Sequence, residues 1–263
     1  MTRLSLHFAH ANGFPASVYR KMLEPLAERY DLGFIERVGH DPAYPVTDCW
    51  PHLVRETVAA IEARRCEPVV GVGHSLGGVL LFYAAIARPE LFRGLIILDS
   101  PLLASHRLGM IWLAKKLGFI DRLTPGGNTL RRRDNWASVA MARDYFARKA
   151  LFSRFDPDCL YDYALHGTRD NGDGGRCLVF RPEIEYRIFR TLPHDSLRYR
   201  GRLTVPTVFL AGAGSQVLAA GDLEHLRQDF GMRIERLPGS HLYPLERPLA
   251  TAERIAQLTD AFA

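Results

Sequence analysis

The sequence predicts an α/β fold: a mostly parallel sheet of about six strands, flanked by helices and interrupted by a helical insertion. Three observations lead there. Short apolar runs alternate with longer segments of helical period, the rhythm of strands joined by crossover helices. Most of the apolar runs end at a Gly, Pro, Asn or Asp turn. The alternation stops between about Leu102 and Arg202 and then resumes, so residues 1–101 and 203–263 read as the core and 102–202 as an inserted cap.

Taken in order, Leu4 to His10 is the first strand, broken by Asn12-Gly13-Phe14-Pro15. A helix follows with Val18, Met22, Leu23, Leu26, Ala27 and Tyr30 on one face. Leu32 to Glu36 is the second strand. Asp48 is placed to N-cap the next helix, where Trp50, Leu53, Val54, Thr57, Val58 and Ile61 recur at helical spacing. Pro68 to Gly73 is a buried strand, and it passes through His74-Ser75 into a helix from Leu76 to Ala87 that is apolar on every side and therefore wholly buried. Leu95 to Leu98 and Val208 to Gly212 are further strands, and Arg233 to Leu237 is the last. Amphipathic helices lie around residues 223–230 and 251–262. The insertion is helical in flavour, rich in arginine and aromatics, and broken by Asn171-Gly172-Asp173-Gly174-Gly175.

Composition narrows the function classes. With 47% hydrophobic and 24% charged residues, the 263-residue chain is neither disordered nor fibrous. A net charge of +5 is too small a surplus for a nucleic-acid binder. No stretch approaches the roughly 20 apolar residues of a membrane span, and the N-terminus lacks the apolar core of a secretory signal. A cytoplasmic protein is expected. Cys49, Cys66, Cys159 and Cys177 are scattered, with no histidine at zinc-ligand spacing, so reduced thiols are expected and no metal.

Gly73-His74-Ser75-Leu76-Gly77 is a G-x-S-x-G sequence. Chance produces such a match in roughly one of ten chains of this length, so its setting decides its weight. Here it joins a buried strand to a buried helix, which is the setting that the chemistry needs. A serine at a strained strand-to-helix turn leaves no room for side chains two residues to either side. The helix N-terminus then offers N–H groups to a developing oxyanion.

Over nearly its whole length the chain resembles the α/β-hydrolase superfamily. The resemblance is carried by Asn12-Gly13-Phe14-Pro15, by residues 73–78, by Leu98-Asp99, by Val205 to Gly212, and by Gly239-Ser240-His241 running on to Pro248. It implies an α/β-hydrolase fold with Ser75 as nucleophile and His241 as base. It further implies an oxyanion hole from the backbone N–H groups of Phe14 and Leu76, with Asn12 standing where the family usually has histidine. His10 and His74 lie near this chemistry and read as loop-packing residues, with orienting a water or substrate as the alternative; with Asn12 they are the candidate substrate contacts. The antiparallel hairpin that opens many family sheets is expected to be missing.

The family's usual triad acid follows the strand that is here Val208–Ala211, in a Gly-x-x-Asp turn. This sequence has Gly212-Ala213-Gly214-Ser215, and serine holds no charge against an imidazolium. Asp99, ending the strand after the nucleophile helix, is the expected replacement, where some family members carry their acid. Asp222 and Glu224 are the runners-up, each beside or within a helix that it is suited to cap. A serine nucleophile forms an acyl-enzyme, so esters, thioesters and lactones are the natural small-molecule acyl substrates, with no cofactor. The alternatives are an acyltransferase, a lyase or a cofactor-independent oxygenase on the same residues, or a non-catalytic receptor. Arg131-Arg132-Arg133 reads as a solvated helix face, or else as an anion clamp for a phosphate-bearing or CoA-linked acyl substrate. Met110 to Leu113, Leu117, Phe119 and Ile120 read as a packed cap helix or as an apolar channel wall. The oligomeric state is left open.

Overall fold

A computed structural model describes residues 3–64 and 67–262, which leaves Cys66 outside. The core strands are β1 (Ser5–Ala9), β2 (Asp31–Phe34), β3 (Val69–His74) and β4 (Phe92–Leu98). Connecting them are helices α1 (Arg20–Arg29), α2 (Pro51–Ala63) and α3 (Leu76–Ala87). The insertion then supplies α4 (Ser105–Lys116), α5 (Gly126–Thr129), β5 (Asn135–Trp136), α6 (Val139–Ala147), α7 (Pro157–His166), β6 (Thr168–Asp170), β7 (Arg176–Leu178) and α8 (Pro182–Arg190). The core resumes with β8 (Thr207–Gly212), α9 (Ala220–Phe230), β9 (Arg233–Leu237), α10 (Tyr243–Glu246) and α11 (Pro248–Asp260).

The main sheet has six strands in the order β2-β1-β3-β4-β8-β9. Every neighbouring pair is parallel, and no antiparallel hairpin opens the sheet among the described residues. β1, β3 and β8 are buried along their whole length, as strands covered by helices on both faces must be. The edge strand β9 instead carries Arg233, Glu235 and Arg236, charges that discourage another strand from pairing there. α3 is buried from Leu76 to Ile86, as its all-round apolarity requires. The chain runs from β1 outward to β2 and then crosses back to β3, so the loops leaving β1 and β3 diverge. Such a switch point opens a crevice at the carboxyl edge of the sheet.

Two local expectations are corrected. Asp48 does not cap α2: the cap position is Trp50, in left-handed backbone (φ 59°), with Pro51 at the first helical position. Asp48 pairs instead with Lys115, an ion pair between residues too distant in sequence for local capping rules to anticipate. The insertion is also not purely helical. β5, β6 and β7 form a small antiparallel sheet, and the glycine-rich stretch 171–175 is the turn of its β6–β7 hairpin. These strands are only two or three residues long, too short to show a period-2 pattern.

The insertion is seated on the core by aromatic packing. Phe14, in the loop after β1, has its ring centroid 5.2 Å from Tyr163 and 6.3 Å from Phe155. Phe146 and Phe152 complete this buried cluster. On α4 the outcome is mixed. Ile111 is buried with Leu103, Leu108 and Ile120, whereas Met110, Trp112, Leu113 and Leu117 are exposed.

Candidate active site

The elbow between β3 and α3 is formed by close backbone approach. A side-chain Cβ at Gly77 would lie 2.0 Å from the carbonyl oxygen of Ala9, and one at Gly73 would lie 2.5 Å from the Gly78 nitrogen. No side chain fits either position. Ser75 between them has φ 53°, and Asp99 at the end of β4 has φ 41°, both in the region that non-glycine residues seldom adopt. Parallel hydrogen bonding continues past the strand ends to hold both: the Ser75 N–H donates to Leu98 O at 3.0 Å and the Asp99 N–H to Leu210 O at 3.0 Å.

His241, in the loop after β9, lies between these two side chains. Its Nε2 is 3.1 Å from Ser75 Oγ, and its Nδ1 is 2.7 Å from Asp99 Oδ2. Ser75, His241 and Asp99, from three separate segments, thus form one hydrogen-bonded chain. Asp99 is fully buried and its carboxylate is well supplied with donors. Gly212 N–H reaches Oδ1 at 2.8 Å, and the Ser215 hydroxyl reaches Oδ2 at 2.5 Å. Ser215 stands at the position of the family's usual acid, so that position and Asp99 face the same space. Asp222 turns away. It accepts the N–H groups of Ala104 and Ala219 and pairs with Arg107, while the exposed Glu224 bonds Arg227 and Gln228.

His10 and His74, which the sequence reads as loop packing with a substrate contact as the alternative, lie in the protein interior. Both are fully buried with both ring nitrogens engaged by protein. Val38 N–H donates to His10 Nε2 at 2.9 Å, so Nδ1 carries the proton and donates to Ala11 O at 2.8 Å. For His74, the carbonyl of His241 accepts from Nε2–H at 2.9 Å, and Nδ1 accepts from Tyr19 at 2.7 Å. His74 thereby grips the backbone of His241. Burial lowers His10 to about 4 and His74 to about 3, the nearby His241 adding to the effect at His74, so both rings are neutral at pH 7.

The loop after β1 is fastened to the insertion. The Asn12 amide donates to the Glu185 carbonyl at 3.1 Å, leaving Asn12 Oδ1 buried without a protein partner. A Cβ at Gly13 would lie 2.9 Å from the Glu185 carboxylate. Glu185 pairs with Arg132, and its burial raises its pKa against the pull of that guanidinium. The arginine run is therefore not a helix face. It lies in a turn, with Arg132 directed inward and Arg133 over the rings of Trp136 and Tyr145. The Phe14 N–H donates to Ala11 O at 3.1 Å, closing a turn, whereas the Leu76 N–H, first in α3, has no intrahelical acceptor. Of the two expected oxyanion donors, Phe14 is thus already engaged. The Gly77 N–H, 3.1 Å from His10 O, ties the two loops together.

A second cluster escaped sequence reasoning because His194 is 145 residues from Cys49 in the chain. Asp48, Cys49 and His194 bring ligand-type atoms within 4.8 Å of one another. The Lys115 ammonium stands among them, paired with Asp48 and 3.0 Å from His194 Nδ1. Cys49, Cys159 and Cys177 are free thiols. No helix among the described residues is long and apolar enough to cross a membrane.

Comparison with known proteins bears on the same residues. The Abhydrolase domain-containing protein ACTT2-1 of Alternaria alternata is 25% identical over 232 residues, spanning 74% of this chain and 84% of that protein. The type I acyl-CoA thioesterase mpaH' of Penicillium brevicompactum is 28% identical over 178 residues, but the match spans 61% of this chain and only 39% of the relative. Among solved structures, E-2-(acetamidomethylene)succinate hydrolase superposes with a TM-score of 0.78 at 20% identity, covering 99% of this chain and 92% of that one, a likeness of fold. The alpha/beta hydrolase family pattern matches residues 8–254, from β1 through the Ser75 elbow and His241 into α11, and the chain belongs to that family.

Proposed function

We propose that the protein is a serine hydrolase that cleaves a carboxylic ester or thioester through an acyl-enzyme. The observation that carries this reading is the continuous chain Ser75 Oγ–His241 Nε2, His241 Nδ1–Asp99 Oδ2, at 3.1 and 2.7 Å. These are distances over which a proton moves directly. In the first half-reaction His241 takes the Ser75 proton as Oγ bonds to the acyl carbon. The carbon–oxygen or carbon–sulfur bond then breaks, and the leaving group receives that proton from Nε2. A water, deprotonated by the same nitrogen, releases the acid and regenerates Ser75.

Asp99 holds the tautomer with Nδ1–H and balances the imidazolium formed at each step. The Leu76 N–H, at the positive end of α3, stabilises the oxyanion. Phe14 N–H joins it only by sharing or releasing its bond to Ala11. His10 and His74 act through packing, with His74 fixing the loop that carries His241. The thioester option is supported by the similarity to an acyl-CoA thioesterase.

A fluorophosphonate probe should modify Ser75 in the folded protein. Ser75→Ala should abolish labelling and lower ester turnover by about 10⁴-fold or more. Absence of labelling in a folded wild-type sample would overturn the reading.

A further inference from the structure

A cavity of about 840 Å³ lies away from Ser75, between α4 and α8. That is ample for a ligand of cofactor size. Lys115 and Lys116 of α4 and Arg187 and Arg190 of α8 line it, against the carboxylates of Asp48 and Glu183. Lys115 is already paired with Asp48, and Arg190 lies 3.7 Å from Asp121. Lys116 and Arg187 have no carboxylate within ion-pair distance among the described residues. Two cation–aromatic pairs also face the space: the Lys116 ammonium lies 5.6 Å from the Trp112 ring and the Arg190 guanidinium 5.6 Å from that of Tyr186. The free Lys116 beside Trp112, with the free Arg187 in the same lining, suits a ligand that carries phosphate next to a planar base: the cations take phosphate oxygens and a ring stacks on the base. An acyl chain would gain nothing from them.

The position relative to Ser75 matters as much as the lining. α8 separates the cavity from the loop after β1. Glu185 touches that loop through the Asn12 bond and the Gly13 contact, while the next two residues, Tyr186 and Arg187, line the cavity. The Asn12–Gly13 loop, which leads from β1 toward the elbow, therefore lies across α8 from the cavity, about one helix diameter away. We infer that the α4–α8 cavity holds the nucleotide end of a phosphorylated thiol carrier of the coenzyme A type, whose thioester reaches Ser75 along a flexible arm. This rests on the acyl-enzyme reading and names its leaving group. The anion site sits on α4 and α8, not on the Arg131–Arg133 run, whose middle member is spent on Glu185.

Calorimetric titration of Ser75→Ala protein with coenzyme A, adenosine 3′,5′-bisphosphate and inorganic phosphate tests this. Saturable binding of coenzyme A and of the bisphosphate is expected, each far tighter than phosphate and each weakened by added salt. The double variant K116E/R187E should lose at least about tenfold in coenzyme A affinity. The milder Arg187→Gln should lose less while melting at the wild-type temperature, which separates lost charge from lost fold. Unchanged affinity in the folded double variant, or no saturable coenzyme A binding by the parent, would overturn the inference. So would bisphosphate binding combined with no acyl-CoA turnover by wild-type enzyme that hydrolyses simple esters, since a free nucleotide would then be the ligand. Fluorophosphonate labelling of wild-type Ser75 reports separately on the acyl-enzyme reading: labelling without coenzyme A binding sinks only the cavity assignment, and coenzyme A binding without labelling sinks the acyl-enzyme reading and, with it, the delivery of a thioester to Ser75.

Discussion

At the scale of single residues, Asp99, the proposed acid, is the most informative position. Asp99 Oδ2 receives both His241 Nδ1 and the Ser215 hydroxyl, so a carboxylate extending from position 215 would occupy nearly the same place. Asp99→Ser should therefore depress turnover by about 10³–10⁴-fold, as loss of a triad acid does. Adding Ser215→Asp to that variant should recover at least about tenfold, because the new side chain starts within reach of the same imidazole. Steady-state kinetics on one ester substrate decides it, and a double variant no better than the single one would mean that the two positions are not interchangeable. Ser215→Ala in the otherwise native protein removes one donor from a charged acceptor and should cost about tenfold. The exchange was half legible in the sequence. The missing aspartate at 215 and the candidate at 99 could both be read, whereas the hydrogen bond between them joins residues 116 positions apart.

Secondary-structure elements were legible wherever local patterning decided them. The run of α3 follows from its all-round apolarity and the end of β9 from Pro238-Gly239, and Ser75 follows from glycines that a strained turn demands. The elbow also makes the sharpest claim about packing. Gly77 faces the Ala9 carbonyl, an atom of a buried central strand that cannot give way. Gly77→Ala should force β1 and α3 apart, at a cost of about 1–3 kcal/mol, lowering the melting midpoint by at least about 3 °C. Gly109→Ala, with nothing near its Cβ, is the control and should leave the midpoint unchanged or slightly higher. Calorimetry on the pair checks this, and equal midpoints would refute the close-approach account. The insertion was harder to read. Its strands are too short for a period, and Arg132 turns inward only because Glu185 is buried beside it.

For the molecule as a whole, the buried imidazoles couple stability to pH. His7 and His10 are lowered to about 4 and His74 to about 3, in each case chiefly by burial. Unfolded histidine binds its proton near 6.5, so between that value and the folded pKa the unfolded chain holds more protons. This contribution is fully present above about pH 6.5 and is lost as pH falls toward 4, by about 1.4 kcal/mol per pH unit for each ring. Glu56 works the other way. Burial raises it to about 7, so the folded chain holds the extra proton above the ordinary carboxylate range, and this contribution is lost as pH rises to 7. The histidines outnumber it, so the net expectation is weaker folding from pH 6.5 down to 5. Imidazole nitrogen shifts should show His10 and His74 neutral throughout that window, and titration of either near 6.5 would contradict the packing described.

Taken alone, the sequence determined the layered fold, the elbow serine, the histidine after the last strand and the missing aspartate. These are local matters, set by periodicity, by backbone freedom at glycine and by chain order. Only the tertiary structure decided which carboxylate meets His241, which histidines are sealed into loops, and where unpaired cations gather. Those depend on groups brought together from strand ends, loops and helices that are 28 residues apart for His10 and Val38 and 142 apart for Asp99 and His241, and neither spacing nor composition records such meetings.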